Sequence, residues 1–314
     1  MNAEGNGAMV NTEISVRGRV KTVPCIQIDD TTVFVAGGGL KIACVKDEEY
    51  NDCKAIEDPE NVIRKLRSSD LKADIFKFSQ PQIDPERRHA YDVIWDNAAI
   101  VSFDSFQDWW VKRVIQTTRK SVRLSRRRGV SVEVVPFDDD LVAGIKSIYD
   151  ESPNRQGRPF WHYGKSLETI KEENGTYQGR SDFIGAYSGD QLIGYVKVTY
   201  TQQIAVIMQI ITLRAHQDKR PTNALLAKTV EQCAAQGLRH LKYAKFTYGN
   251  KGVDALTEFK ISNGFARHDF PCYYIPLTWK GRVGMGMQFH RSLRDRIPRF
   301  LEKPLLQMQA RFCK

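Results

Sequence analysis

IAVIMQIITLRAHQDKRPTNALLAKTVEQCAAQGLRHLKYAKFT, residues 204–247, reads as a strand, a helix and a second strand in succession. Ile204 to Leu213 is an apolar, β-branched run of strand length. The helix opens at Pro221 and is stopped by Gly237, and Leu241 to Thr247 forms the next strand. Working outward, a helix from Val253 to Asn263, stopped by Gly264, and a strand from Cys272 to Leu277 are expected downstream. Upstream come strand Val130 to Val135, helices Asp138 to Glu151 and Ser166 to Glu173, and strand Phe183 to Tyr187. Gly189-Asp190 then turns a hairpin into strand Gln191 to Tyr200. The region is α/β.

Further upstream, Ser105 to Arg128 reads as a helix ended by Gly129, with Trp109, Trp110, Val114, Ile115 and Val122 as its apolar stripe. The first third is mixed α and β. Strands are expected at Val23 to Ile28, Thr32 to Ala36, Leu40 to Val45 and Ala73 to Phe78, with one or two more between Tyr91 and Phe103. Pro59 opens a helix through Lys72. No repeat of 20 to 50 residues is present, which excludes solenoids and propellers.

The 314 residues are 41% hydrophobic and 27% charged, enough for about two domains. The greasiest stretch, Ile204 to Met208 with Ile210 and Ile211, is short of the roughly 20 apolar residues of a membrane span. The N-terminus lacks the basic-then-apolar profile of a secretion signal, so a soluble, cytoplasmic protein is expected. Six scattered cysteines form no metal-ligand spacing, and no metal site is expected. The net charge of +10 is concentrated. Lys112 to Arg128 holds eight basic residues and no acid, and Lys280 to Lys314 holds nine against Asp295 and Glu302. Two basic patches on an acidic body point to a polyanionic partner such as a phosphate-bearing cofactor, a nucleic acid or an anionic membrane.

The order of elements over Val130 to Trp279 resembles the GNAT acyltransferase fold, a mixed central sheet flanked by helices. That resemblance implies a V-shaped cleft between the fourth and fifth strands and a loop before the third helix that holds the pyrophosphate of acyl-CoA. Aligned on Ala224-Leu225-Leu226, the loop reads Gln217-Asp218-Lys219-Arg220-Pro221-Thr222, with Arg220 and Thr222 where the family has glycines. Pro221, Asn223 and the leucine pair resemble a segment of FemAB-like transferases. So do Leu256 to Phe265, Trp109-Trp110 with Thr118 to Arg123, and Arg155-Gln156-Gly157. FemAB-like enzymes carry two GNAT-like domains, and the first third resembles a degenerate version of the first. The expected division is an N-terminal α/β domain at 1–108, a basic connecting helix at 109–129, a GNAT-like domain at 130–279 and a basic tail at 280–314.

The resemblance implies transfer of an acyl group from acyl-CoA or another acyl thioester to an amine or hydroxyl. The acceptor is a small molecule or a glycolipid or peptidoglycan precursor. Gln217, Lys219, Arg220, Thr222 and Asn223 would hold the donor's phosphates, and Arg119, Arg123, Arg155 and His162 would meet substrate. His216, just beyond the fourth strand, is a candidate proton acceptor, since imidazole titrates near neutrality. Lys260 stands where the wider family usually has a tyrosine and is a second catalytic candidate. Tyr248 is a third. The lost glycines leave aminoacyl-tRNA open as an alternative donor, and a non-catalytic nucleic-acid or anionic-surface module is a second alternative. In the tail, Leu293, Ile297, Phe300, Leu301, Leu305 and Leu306 alternate with basic residues, as in a helix lying on an anionic membrane. Pro298 and Pro304 interrupt it, which favours packing onto the body.

Overall fold

The computed structural model describes residues 8–16, 19–50, 56–155, 157–248 and 254–289. The expected helix start at Val253, Gln156, and the tail's alternating residues from Leu293 to Leu306 lie outside them.

In chain order, β1 (Val10–Val16), β2 (Arg19–Ile28), β3 (Thr31–Ala36) and β4 (Ile42–Val45) form an antiparallel meander. Asp29 takes φ 52° in the turn after β2, a conformation aspartate tolerates. Helix α1 (Pro59–Ser68) starts where Asp58 accepts from Asn61 N–H and proline occupies the first helical position. Strands β5 (Ile75–Ser79) and β6 (Asp92–Ser102) follow. Next come the short α2 (Phe106–Asp108), a π-helical turn (Trp109–Arg113) and α3 (Gln116–Arg127). Strand β7 (Val130–Val135) leads to α4 (Asp139–Tyr149), capped by Asp138. A two-residue ribbon, β8 (Asn154–Arg155) with β9 (Arg158–Pro159), precedes α5 (Leu167–Asn174). Strands β10 (Ser181–Ser188), β11 (Gln191–Tyr200) and β12 (Ala205–Thr212) run into a 3₁₀ turn (Arg214–Lys219) and α6 (Pro221–Ala235). The described chain ends with β13 (His240–Lys242), α7 (Ala255–Ser262), β14 (Ala266–Pro276) and α8 (Trp279–Gly286).

Two compact units result. The first contains 1–97, 247–254 and 268–314, and the second contains 98–246 and 255–267. The strand ending the expected GNAT-like domain therefore lies mainly in the first unit, paired with β5. The first unit's strands run in the order β1-β2-β3-β4-β5-β14-β6, with β4 and β5 parallel. Its core gathers Ile26, Val33, Val62, Leu66, Phe76, Phe78 and Tyr273. The second unit's order is β6-β13-β12-β11-β10-β7, with β12 and β13 parallel. Its two faces are covered differently, as strand alternation requires. Gly194 on β11 backs onto Leu225 of α6, whereas the next residue, Tyr195, reaches Tyr149 of α4.

The long helix expected over Ser105 to Arg128 is broken at Val114 and Ile115, both extended. Tertiary partners make the break. Trp109 is fully buried and its indole N–H donates to the Asn263 carbonyl at 3.0 Å, while Ile115 N–H donates to Ser262. Arg119 Nη1 donates to the carbonyls of Trp110, Val111 and Val114, which the break leaves without helical partners. The strand expected from Leu241 to Thr247 shrinks to three residues, because Ala244 takes φ 51° and the chain turns away.

Candidate functional site

β12 and β13 are paired only at Ala205↔Leu241 and Val206↔Lys242. Beyond that point Tyr243 and Ala244 exchange hydrogen bonds with Ala99 on β6, while β12 continues to Thr212. Among the described residues, Ile207–Thr212 has no strand on this side, so the two strands diverge into a V. Apart from the Thr212 carbonyl, which accepts from Arg155, the edge presents main-chain donors and acceptors to whatever enters. On the other side of β12, Gln209 pairs with Lys197 and Ile207 with Val198, leaving Met208 as an extra residue. This bulge kinks the strand within the V and re-aims its side chains.

β12 leads directly to the start of α6. Arg220, the residue before Pro221, takes φ 56° and ψ 40°, and no side chain caps the helix. Its first N–H groups and dipole therefore form a positive end. Thr222 Oγ1 lies 3.2 Å from Thr212 Oγ1, which ties the helix start to the end of β12. Lys219 Nζ donates to Ser188 Oγ at 2.6 Å, and Arg128 Nη1 donates to the Asp218 carbonyl and carboxylate at 2.6 and 3.0 Å. The arginine-rich end of α3 is thus anchored beside this loop, with Arg123, Arg126 and Arg127 exposed.

Opposite this helix start, the segment between α4 and α5 folds over the bulged part of β12. Arg155 donates from Nη1 to the Thr212 carbonyl (3.0 Å) and from Nη2 to Ile148 and Glu151 (2.9 and 3.2 Å). Glu151 in turn accepts from Ala215 N–H at 2.9 Å. Tyr149 and Tyr195 share a hydrogen bond of 2.8 Å, and both hydroxyls reach Gln209 Oε1, at 3.1 and 2.5 Å. This fixes the amide's orientation, so Gln209 Nε2 donates to His162 Nε2 at 2.9 Å. A neutral His162 must then carry its proton on Nδ1. That atom is buried and has no partner among the described residues, as is Arg155 Nε.

The electrostatics keep this cluster uncharged apart from the Glu151–Arg155 pair. Burial, reinforced by the charges of Lys165 and Arg155, pulls His162 down to about 3. Burial likewise raises Tyr149 and pushes Tyr195 well above the phenol range. His162 therefore has little basicity near neutrality and accepts a hydrogen bond from Gln209 at Nε2, with the Nδ1 proton left without a partner among the described residues. Deeper on the same face, burial lowers Lys197 to about 8. Its ammonium donates at 2.7 to 2.8 Å to Asn174 O, Thr176 O and Thr176 Oγ1, holding the loop after α5 against the sheet.

The residues singled out from sequence fall into three groups. His216, Gln217, Lys219, Arg220, Thr222 and Asn223 gather in the 3₁₀ turn and first turn of α6, and His216 Nδ1 has no partner among the described residues. Arg155 and His162 meet at the opposite wall, with Glu151. The others stand apart. Lys260 is fully buried on α7, with its ammonium donating to the Lys245 carbonyl and 5.1 Å from the Tyr243 ring centre, so it braces the segment that turns away after β13. Tyr248 is 42% exposed and belongs to the first unit. Arg119 Nη1 is occupied by the three carbonyls of the helix break. Sequence reasoning missed Tyr149, Tyr195 and Gln209. The only available signal was a pair of polar side chains inside apolar strands β11 and β12. Among the described residues there is no cluster suited to a metal ion, and no helix is long and apolar enough to cross a membrane.

Residues 144–259 match the model of the acetyltransferase (GNAT) family. No curated protein sequence matches the chain. Among solved structures, FemX is similar over 90% of both chains, with a TM-score of 0.57 at 9% identity. The L-PGS structure from Bacillus licheniformis is similar over 82% of this chain and 84% of its own, with a TM-score of 0.55 at 15% identity. The C-terminal domain of a putative lysylphosphatidylglycerol synthetase from Agrobacterium fabrum is similar over 83% and 86%, with a TM-score of 0.54 at 14% identity. At such identities the likeness is one of fold.

Proposed function

We propose, for a chain that carries an acetyltransferase domain of the GNAT family, that it moves an acyl group from a thioester donor to an amine or hydroxyl acceptor inside the V between β12 and β13. The observation that carries this reading is the free edge of β12 leading straight into an uncapped helix start. An extended amide-bearing arm, such as that of CoA or a carrier-protein prosthetic group, can add to the strand edge by main-chain hydrogen bonds. Its phosphates then reach the N-terminus of α6, where N–H groups, the helix dipole and Arg220 favour negative charge.

The acceptor enters from the wall built by Glu151, Arg155, His162 and Gln209. Its nitrogen or oxygen attacks the acyl carbonyl, the thiolate leaves, and the attacking atom's proton is lost to His216 or water. The site's main contribution is placement, which converts a bimolecular encounter into a near-unimolecular step. An acceptor borne on a lipid accords with the name of the lysylphosphatidylglycerol synthetase structure, and one borne on a cell-wall precursor accords with the FemAB-like resemblance of the sequence.

A second reading, aminoacyl-tRNA as donor, is favoured by one specific observation. Arg123, Arg126 and Arg127 are exposed on a helix that Arg128 fastens to the donor loop, so a long phosphate backbone would find charge beyond the helix start. Titration with acyl-CoA and with aminoacyl-tRNA at two salt concentrations separates the two, because polyanion binding weakens steeply with salt. Transfer from acyl-CoA with shallow salt dependence supports the thioester reading. Transfer only from aminoacyl-tRNA replaces it.

Arg220 supplies a sharper test. A non-glycine residue at positive φ is strained, so Arg220→Gly is expected to leave the melting temperature unchanged or raise it, gaining up to about 1 kcal/mol. The same change removes the cation at the helix start and is expected to weaken donor binding roughly tenfold. Isothermal titration with the donor checks this. Undiminished affinity would remove Arg220 from the donor site.

A further inference from the structure

In an ordinary surface helix the large apolar side chains face the body, and α8 reverses this. Its inner face is made of glycines. A Cβ on Gly281 would lie 2.0 Å from the Asp74 carbonyl oxygen, and one on Gly284 would lie 2.9 Å from Leu40 Cδ1, so the backbone itself is pressed against the first unit. Asp74 holds the helix start. Its carbonyl accepts from Leu277 N–H at 2.8 Å and its carboxylate from Thr278 Oγ1 at 2.9 Å, with Lys280 Nζ 3.5 Å away. Thr278 caps the first turn by accepting from Gly281 N–H. The large apolar residues point outward: Trp279 is 77%, Val283 46% and Met287 52% exposed. At about 100° per residue, these three lie within one arc of roughly 80°. Lys280 and Arg282 flank the arc, and no acid occurs between Trp279 and Phe289.

We propose that this stripe is a docking surface for an anionic lipid bilayer, with Trp279, Val283 and Met287 entering the interface and Lys280 and Arg282 facing the headgroups. Charge decides between occupants. From Trp279 to Phe289 the charged residues are Lys280 and Arg282, with no acid, which suits a negatively charged surface and opposes a second copy of itself. Area argues the same way, because three side chains on two helical turns fall well short of the roughly 800 Å² per partner of a stable protein interface. A glycine-pinned helix also presents its apolar residues without having to reorder. This inference does not depend on which acyl donor or acceptor the second unit uses.

The test floats the full-length protein with vesicles of phosphatidylcholine alone and of phosphatidylcholine containing about a third phosphatidylglycerol. The wild-type protein is expected to float with the anionic vesicles and to show a blue shift of tryptophan emission that Trp279→Ala abolishes. The double variant Trp279→Ala/Met287→Ala is expected to bind roughly tenfold more weakly with an unchanged melting temperature, since both side chains are exposed. The inference is overturned if the wild-type protein ignores anionic vesicles, or if the double variant floats as well as wild type. Conversion of a wild-type dimer to monomer by the double variant would also overturn it, by assigning the stripe to a second copy.

Discussion

Trp109→Ala is expected to destabilise the second unit by about 3–5 kcal/mol, the range for truncating a large buried aromatic residue. The indole is fully buried among Phe106, Trp110 and the second unit's core, and its N–H holds the Asn263 carbonyl. Removing it opens a cavity and leaves that carbonyl without its donor. The neighbouring Gly264, at φ 83°, has no room for compensation, because a Cβ there would lie 2.6 Å from Arg113 Cβ. Trp109→Phe keeps most of the packing and loses the hydrogen bond, so its cost is expected to be smaller, about 1–3 kcal/mol. Denaturant unfolding followed by circular dichroism measures both. Equal midpoints for the alanine variant and wild type would mean that the helix break is not seated as described.

Acid should weaken the protein through His162. An unfolded histidine binds its proton near pH 6.5, whereas the folded environment holds His162 down to about 3. Between those values the unfolded state carries one more proton. The stabilising contribution is therefore complete above pH 6.5 and is lost as pH falls towards 3, at about 1.4 kcal/mol per pH unit. Carboxylates titrate in the lower part of this window too, so the comparison must be with His162→Gln, which removes this proton alone. The variant's unfolding free energy is expected to fall less steeply between pH 6.5 and 4.5. Parallel slopes would show that His162 is protonated normally and that its Nε2 is not held by Gln209.

What the sequence discloses, and what it withholds, follows from the range of the forces involved. β7 and β11 match expectation to the residue because local turn chemistry bounds them, Gly129 before one and Gly189-Asp190 before the other. The helix break at Val114 and Ile115 has no local cause. It exists because Ser262 and Asn263, far along the chain, supply partners that straight helical geometry would not use. The bulge at Met208 is equally hidden, since Ile204 to Leu213 reads as an unbroken strand and only its pairing with β11 exposes the extra residue. β1 escaped notice because Asn11, Thr12 and Glu13 dilute its apolar content, and α8 because glycine is a poor helix former. At the site, the donor loop was legible from its place after the fourth strand. Arg155 and His162 could be named, but their partners on β12 could not, because the Thr212 carbonyl and Gln209 reach them from a strand distant in sequence. Arg119 shows the same limit. The resemblance implies a substrate contact there, and the sequence gives no sign that its Nη1 donates to the three carbonyls of the helix break.

The central claim is that an acyl donor lies along the free edge of β12 with its phosphates at the start of α6. Amide hydrogen exchange, measured by mass spectrometry with and without saturating acyl-CoA, tests it most directly. Protection is expected in two segments, Ile207–Thr212 and Thr222–Ala224, and is expected to be reduced in the second by Arg220→Gly. Donor binding that leaves both segments exchanging as in the free protein, for acyl-CoA and for aminoacyl-tRNA alike, would contradict the account.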